Sequence, residues 1–265
     1  MAALDRFLEA VRRTRRERET ARPERSLRRA METWFRQQQR TFDARAGQAV
    51  TPGETPFSSA FDAALEAALD AGKPAAAAAA QTAVEAALLL GAQAALADFG
   101  DVGLGIAFDL RNPRALAYLR EYGAALVTQI NETTREEMRD LIVRMVEERA
   151  SYDQVAREIS RRWAEMRIPK PQGHIDSRAH LIAVTEVGQA YEQGNLAAVQ
   201  SMADLGLQME KSWLTVGDDR VSDGCAENEA AGWIPLDEPF PSGDDRPLRF
   251  PGCRCTTMYR RAGSG

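Results

Sequence analysis

Cysteine and histidine are scarce in this chain, with three of one and two of the other among 265 residues. An odd number of cysteines in so long a chain does not describe a secreted disulfide framework. Aromatic residues supply only 7%, and the abundance of alanine favours closely packed helices over a bulky aromatic core. No apolar run of about 18 residues occurs, which argues against a membrane-spanning helix. The N-terminus, Met1-Ala2-Ala3-Leu4-Asp5-Arg6, has no apolar signal core, which argues against export by a signal peptide. A cytosolic chain of one large or two small domains is expected.

Alanine and arginine are plentiful. Residues 1–50 carry thirteen arginines, no lysine and seven acids, whereas residues 218–245 carry nine acids and one base, Arg220. Such asymmetry points to separate partners for the two ends. Arg12, Arg13, Arg15, Arg16 and Arg18 crowd one short stretch. They read either as phosphate contacts on nucleic acid or as a solvated face paired with Glu17, Glu19, Glu24 and Glu32.

The periodicity is helical for most of the chain. Helices are predicted from Leu4 to about Ala21 and from Glu24 to about Arg45, interrupted at Pro23. Gly47, Pro52, Gly53 and Pro56 mark a linker. Helices follow over Phe57–Ala71 and Ala75–Phe99, the second rich in alanine and suited to a tight helix–helix contact. Gly100, Gly103 and Gly105 make a turn. Asn112-Pro113 opens the next helix, and the capping-box spacing at Thr133-Thr134-Arg135-Glu136-Glu137 predicts a new start there. Ser151-Tyr152-Asp153-Gln154 is a second capping box, and Pro169 and Pro171 close the region. Asp176 to about Leu205 reads as one long helix. Then the period changes: a strand over Met209–Val216, a short helix over Asp223–Ala230, a small strand at Trp233–Leu236 and a last strand over Cys253–Tyr259. The fold class is mainly α. A helical N-terminal two-thirds precedes a small α+β module with a long helix and two or three short strands. The segments are 1–50, an arginine-rich arm; 57–110, alanine-rich helices; 112–170, further helices; and 171–260, the α+β core.

All three cysteines, Cys225, Cys253 and Cys255, fall in that last segment. Two thiols one residue apart with a third upstream suit a metal clip or a cross-link. Thr185 interrupts the apolar stripe of Leu181, Val184, Gly188, Tyr191, Val199 and Met202. Arg178 lies two turns earlier, and Glu186 sits beside Thr185. Such polar groups need partners, and a structural network of Arg178, Thr185, Glu186, Asp218, Asp219 and Arg220 is expected.

Several short motifs occur in order: Arg178-Ala179, Leu181-Ile182-Ala183, Thr185-Glu186, Trp213-Leu214-Thr215, Asp218-Asp219-Arg220-Val221, Cys225, Pro235-Leu236, Phe240 and Pro251-Gly252-Cys253-Arg254-Cys255. Together with Ile130-Asn131-Glu132-Thr133-Thr134-Arg135, this set resembles the phage Mu F-like minor head proteins, also called phage head morphogenesis proteins. The resemblance covers roughly residues 112–260. It implies a low-copy virion protein of a tailed phage, made in the host cytoplasm. Such a protein acts in capsid assembly and DNA packaging or delivery at the portal vertex. Its partners would be the portal protein, the major capsid or scaffolding protein and phage DNA, with no membrane.

Two positions depart from the family's pattern. Ser222 stands where relatives often have a cysteine, and Phe250-Pro251 stands where many have His-Pro. Three thiols remain, against the four ligands of a structural zinc site. His174 and His180 are far away in sequence, and Asp223 offers an oxygen. Zinc at Cys225, Cys253 and Cys255, a metal-free core cluster and a disulfide all stay open. No complete catalytic set is present, so the chain is read as non-enzymatic, with no catalytic residue and no required cofactor. The alternative is a metal-dependent hydrolase or nuclease acting on DNA through Glu186, Asp218, Asp219 and the cysteines.

Overall fold

A computed structural model describes residues 2–46, 59–99, 108–148, 150–166 and 175–263. The side chains of residues 2–9, 13, 59–62, 123–128, 146 and 152 are not described. The proline-glycine linker, the glycine turn at 100–105, Pro169, Pro171 and His174 lie outside the described residues. The chain folds mainly as helices: α1 (Ala2–Ala46), α2 (Ser59–Asp70), α3 (Lys73–Asp98), α4 (Pro113–Glu147), α5 (Tyr152–Glu165), α6 (Arg178–Ala203) and α7 (Asp223–Ala230). The strands β1 (Met209–Leu214), β2 (Ile234–Pro235) and β3 (Thr256–Arg261) form one antiparallel sheet in the order β2-β1-β3. Glu210 faces Pro235 across one ladder, and Lys211 faces Tyr259 across the other. The mainly helical chain with a small α+β module therefore has the fold class that the periodicity indicates.

Two sequence signals for helix breaks are overridden. Pro23 lies inside α1, which continues through it for 45 residues. A mid-helix proline forfeits one hydrogen bond and costs about 3 kcal/mol. The buried row Leu27, Met31, Trp34, Phe35 and Phe42 gains more than that by holding the helix whole. Thr133 and Thr134 do not start a helix either. Their hydroxyls donate to the carbonyls of Gln129 and Ile130, at 3.0 and 2.7 Å. A threonine that bonds back one turn sits comfortably inside a helix, so α4 is continuous. The capping box at Ser151 forms as the sequence indicates: Ser151 accepts from the Gln154 N–H, and the Gln154 side chain accepts from the Ser151 N–H.

The residues group into two compact units. One comprises residues 26–81 and 121–180. Its centre holds Trp163, Phe35 and Phe42, all fully buried, with the Phe42 and Trp163 rings 5.1 Å apart. A polar chain crosses that core. Trp163 donates to Gln38 Oε1 at 3.2 Å, and Gln38 donates to Asn131 Oδ1 at 3.0 Å. Gln38 and Asn131 both donate to the Leu69 carbonyl. Each amide in this chain is matched, as burial requires.

The other unit comprises residues 1–25, 82–120 and 181–265. Here the alanine-rich α3 meets α6 at backbone distance. A Cβ added to Gly91 would lie 1.9 Å from the Tyr191 carbonyl oxygen, and one on Gly194 would lie 1.9 Å from that of Leu88. Only glycine permits this approach. Ala92, Ala95, Ala198, Val199 and Met202 fill the contact, with Met209 and Tyr259 of the sheet packed on it. By composition Ala63–Asp98 is apolar enough to cross a membrane, a possibility the absence of a long apolar run had argued against. Its alanines at 76, 80, 83, 87, 92 and 95 are buried in protein instead.

Candidate functional site: a thiol cluster and its polar frame

The C-terminal module is built on the second of these units. After β3's partner strand, Ser222 caps α7, its Oγ accepting from the Cys225 N–H at 3.4 Å. That cap fixes the first turn of α7 and aims Cys225 inward. A turn at Pro251-Gly252, where the Cys253 N–H donates to the Phe250 carbonyl, leads into Cys253-Arg254-Cys255, whose burial alternates. Cys253 and Cys255 are buried, whereas Arg254 points outward to Asp218 and to Glu17, at 3.6 Å from the latter. The three Sγ atoms lie within 4.8 Å of one another. Trp213, Phe240 and Leu248 enclose them, the Trp213 and Phe240 rings meeting edge-on at 5.1 Å.

The thiols are free and unequal. A hydrogen bond from Cys255 pulls Cys253 down to about 6, helped by backbone N–H groups and by Arg16, although burial opposes it. Donating that bond, together with burial, pushes Cys255 up. Burial also raises Cys225. Trp213 Nε1 is fully buried without a hydrogen-bond partner and faces Cys255. Among the described residues neither Asp223 nor a histidine joins the cluster. His180 instead lies 2.9 Å from Asp176.

A polar frame surrounds the cluster. Thr185 donates to the Leu181 carbonyl at 2.7 Å and accepts from the Gly252 N–H at 3.0 Å, which anchors the turn before Cys253. Glu192, fully buried, accepts from Thr256 Oγ1 at 2.6 Å and the Thr257 N–H at 3.0 Å, with Arg16 Nε 3.7 Å away. Burial pushes its carboxyl up against the pull of Arg16 and the threonines. Arg16 also donates to the Cys255 carbonyl. Glu229 accepts from the N–H and hydroxyl of Thr215 at 2.9 and 2.7 Å. Asn228 and Ser242 bond each other twice.

The residues singled out from sequence are distributed as follows. Arg178 bonds Glu137 and the Ile130 carbonyl, both at 3.4 Å, and sits 5.7 Å from the centre of the Phe35 ring. Asp218 takes Arg220 and Arg254, while Asp219 is exposed with Arg220 3.9 Å off. Glu186 has a buried Oε2 without a partner, and burial alone raises its carboxyl to about 7. Of the arginines expected at phosphates, Arg12 and Arg15 pair with Asp98. Arg16 is a correction: it is only 6% exposed and belongs to the Glu192 frame. Arg18 is exposed, and the side chain of Arg13 is not described. Glu192, Glu229 and Asn228 were missed. For Glu192 a signal existed, since it falls four residues after Gly188 and seven before Val199, within the apolar stripe of α6.

A surface cleft between α4 and α5 is lined by Glu137, Asp140, Arg144, Glu158, Arg161 and Arg162. Its charges are largely matched, with Arg161 on Glu158 and Glu165 and Arg162 near Glu137 and Glu165.

No curated protein and no solved structure is significantly similar to the chain. One family does match. The model described as phage Mu protein F like protein covers residues 136–258, from within α4 through the thiol cluster to β3. Over that segment, which is just under half of the chain, the sequence is similar to that family.

Proposed function

We propose that this chain is a non-enzymatic minor head protein of a tailed phage or prophage, working at the portal vertex in capsid assembly and DNA packaging or delivery. The observation that carries this reading is the match over residues 136–258. The geometry supports it: the motif residues are occupied in holding the module together. Thr185 ties α6 to Gly252, Thr215 ties β1 to Glu229, and Arg254 ties the thiol segment to Asp218. The portal protein and the major capsid or scaffolding protein are the proposed protein partners. The protein would enter assembly from the host cytoplasm and remain in the virion.

Phage DNA is a further proposed partner. Arg18, Arg22 and Arg25, spaced four and three apart, share a face of α1 and are exposed. They fit a phosphate backbone better than Arg12, Arg15 and Arg16, which hold acids. The hydrolase or nuclease alternative would use Glu186, Asp218, Asp219 and the cysteines, but Asp218 is paired with Arg220 and Arg254 and Asp219 is exposed. The elevation of Glu186 comes from burial alone, whereas an acid–base couple needs a second titrating group acting on the first.

The test is genetic and biochemical. Portal and procapsids should co-purify with a tagged chain, and deleting the gene should reduce infectious particles. Normal, fully infectious particles from the deletion would refute the proposal.

A further inference from the structure

We infer that Cys225, Cys253 and Cys255 together bind one zinc ion, a structural site that fastens α7 to the segment leading into β3. This stands on the residues of the cluster and not on the proposed role in head assembly.

Three observations converge. First, the distances fit. Zinc–sulfur bonds of about 2.3 Å in a tetrahedral site put the sulfurs about 3.8 Å apart. The three Sγ atoms already lie within 4.8 Å of one another, so small side-chain rotations close the site. Second, the surroundings are made for sulfur that carries negative charge. Trp213 Nε1, buried and lacking a partner, faces Cys255. The Arg249 guanidinium borders Cys225 and Gly224, and Arg16 reaches the Cys255 carbonyl. N–H groups directed at ligating sulfurs are the usual outer support of a metal site. Zinc with three thiolates carries a net charge of −1, which the two guanidiniums offset, although Glu192 shares Arg16 and Asp244 shares Arg249. Third, the cluster joins α7 to the segment before β3, a junction that otherwise rests on the Asn228–Ser242 pair and on apolar packing around Phe240 and Leu248. Cys225 lies in the first turn of a helix of eight residues, and Cys253 and Cys255 end a loop that runs from β2. A metal there fixes that loop at its base.

The donor set also selects the metal. Three thiolates favour a soft or borderline ion and disfavour magnesium or calcium. A water, or the Ser222 hydroxyl beside Cys225, completes four ligands. Binding releases the thiol protons to solvent as the thiolates form.

The experiment uses the full chain, reduced and stripped with a chelator, then titrated with cobalt(II) and zinc(II). One cobalt per chain should bind, with a sulfur-to-cobalt charge-transfer band that zinc abolishes, and zinc should raise the melting temperature. Cys253→Ala and Cys255→Ala should lose the band while keeping the helical circular dichroism. Should these variants not fold, the wild-type chain decides. In denaturant that opens the metal-free protein, one equivalent of zinc should protect all three cysteines from alkylation, and chelator should restore reaction. No charge-transfer band in the wild type overturns the site. So does an undiminished band in the alanine variants, or alkylation that zinc leaves unchanged.

Discussion

Replacing Glu186 with glutamine should stabilise the protein, and increasingly so as the pH rises. Glu186 is 9% exposed, its Oε2 has no hydrogen-bond partner, and burial moves its carboxyl from the ordinary 4.5 to about 7. Below 4.5 the group is protonated in both folded and unfolded chains and contributes nothing. Between 4.5 and about 7 the unfolded chain gives up the proton while the folded chain keeps it. Stability therefore falls through this window and levels off above it. At 1.36 kcal/mol per tenfold change in proton affinity, the cost on the alkaline side is ~3 kcal/mol. Glutamine cannot ionise, so it removes the penalty while keeping the shape. The assay is urea denaturation of wild type and Glu186→Gln across pH 4.5 to 8.5, about the window worked out above. The difference should be near zero at the acid end and reach ~3 kcal/mol at the other. A difference that does not vary with pH, or that shrinks as pH rises, would refute the reasoning.

Other outcomes follow from the packing and the charges. Gly91→Ala would drive a methyl into the Tyr191 backbone, so the α3–α6 contact must open, at a cost of ~3 kcal/mol or more. Thermal melting measures this, and an unchanged midpoint would mean the helices do not approach as described. Asn131→Ala leaves one Gln38 donor without its acceptor and should cost ~2 kcal/mol, read by chemical denaturation. Replacing Arg18, Arg22 and Arg25 together with glutamine should weaken DNA binding and reduce the salt dependence of log K by about 2 to 3. A slope equal to that of the wild type would remove α1 from the DNA contact.

Much of this protein was legible without coordinates because its signals are local. The capping box at Ser151, the short helix over Asp223–Ala230 and the switch from helical to alternating period after Gly206 depend on neighbours a few residues away. They reappear in the structure within a residue or two. The ordered motifs likewise identified the phage Mu F-like segment. Where local signals met a competing long-range term, they failed. Pro23 and the capping spacing at Thr133 both indicate helix breaks, yet burial of one face of α1 and the back-bonding of Thr133 and Thr134 keep those helices whole.

The sequence by itself determined the helical class, the alanine-rich helix contact, the small C-terminal sheet and the likeness of residues 136–258 to the phage Mu F-like family, since periodicity, composition and motif order carry these. Tertiary structure alone decided which polar groups meet. Arg16 lies 239 residues from Cys255 in the chain, and Glu192 lies 64 from Thr256. No spacing rule reaches that far. It also decided that three thiols, separated by up to thirty residues of loop and helix, converge beside Trp213. Such convergence is set by how α7 and the sheet pack, and packing is a property of the folded chain rather than of any stretch within it.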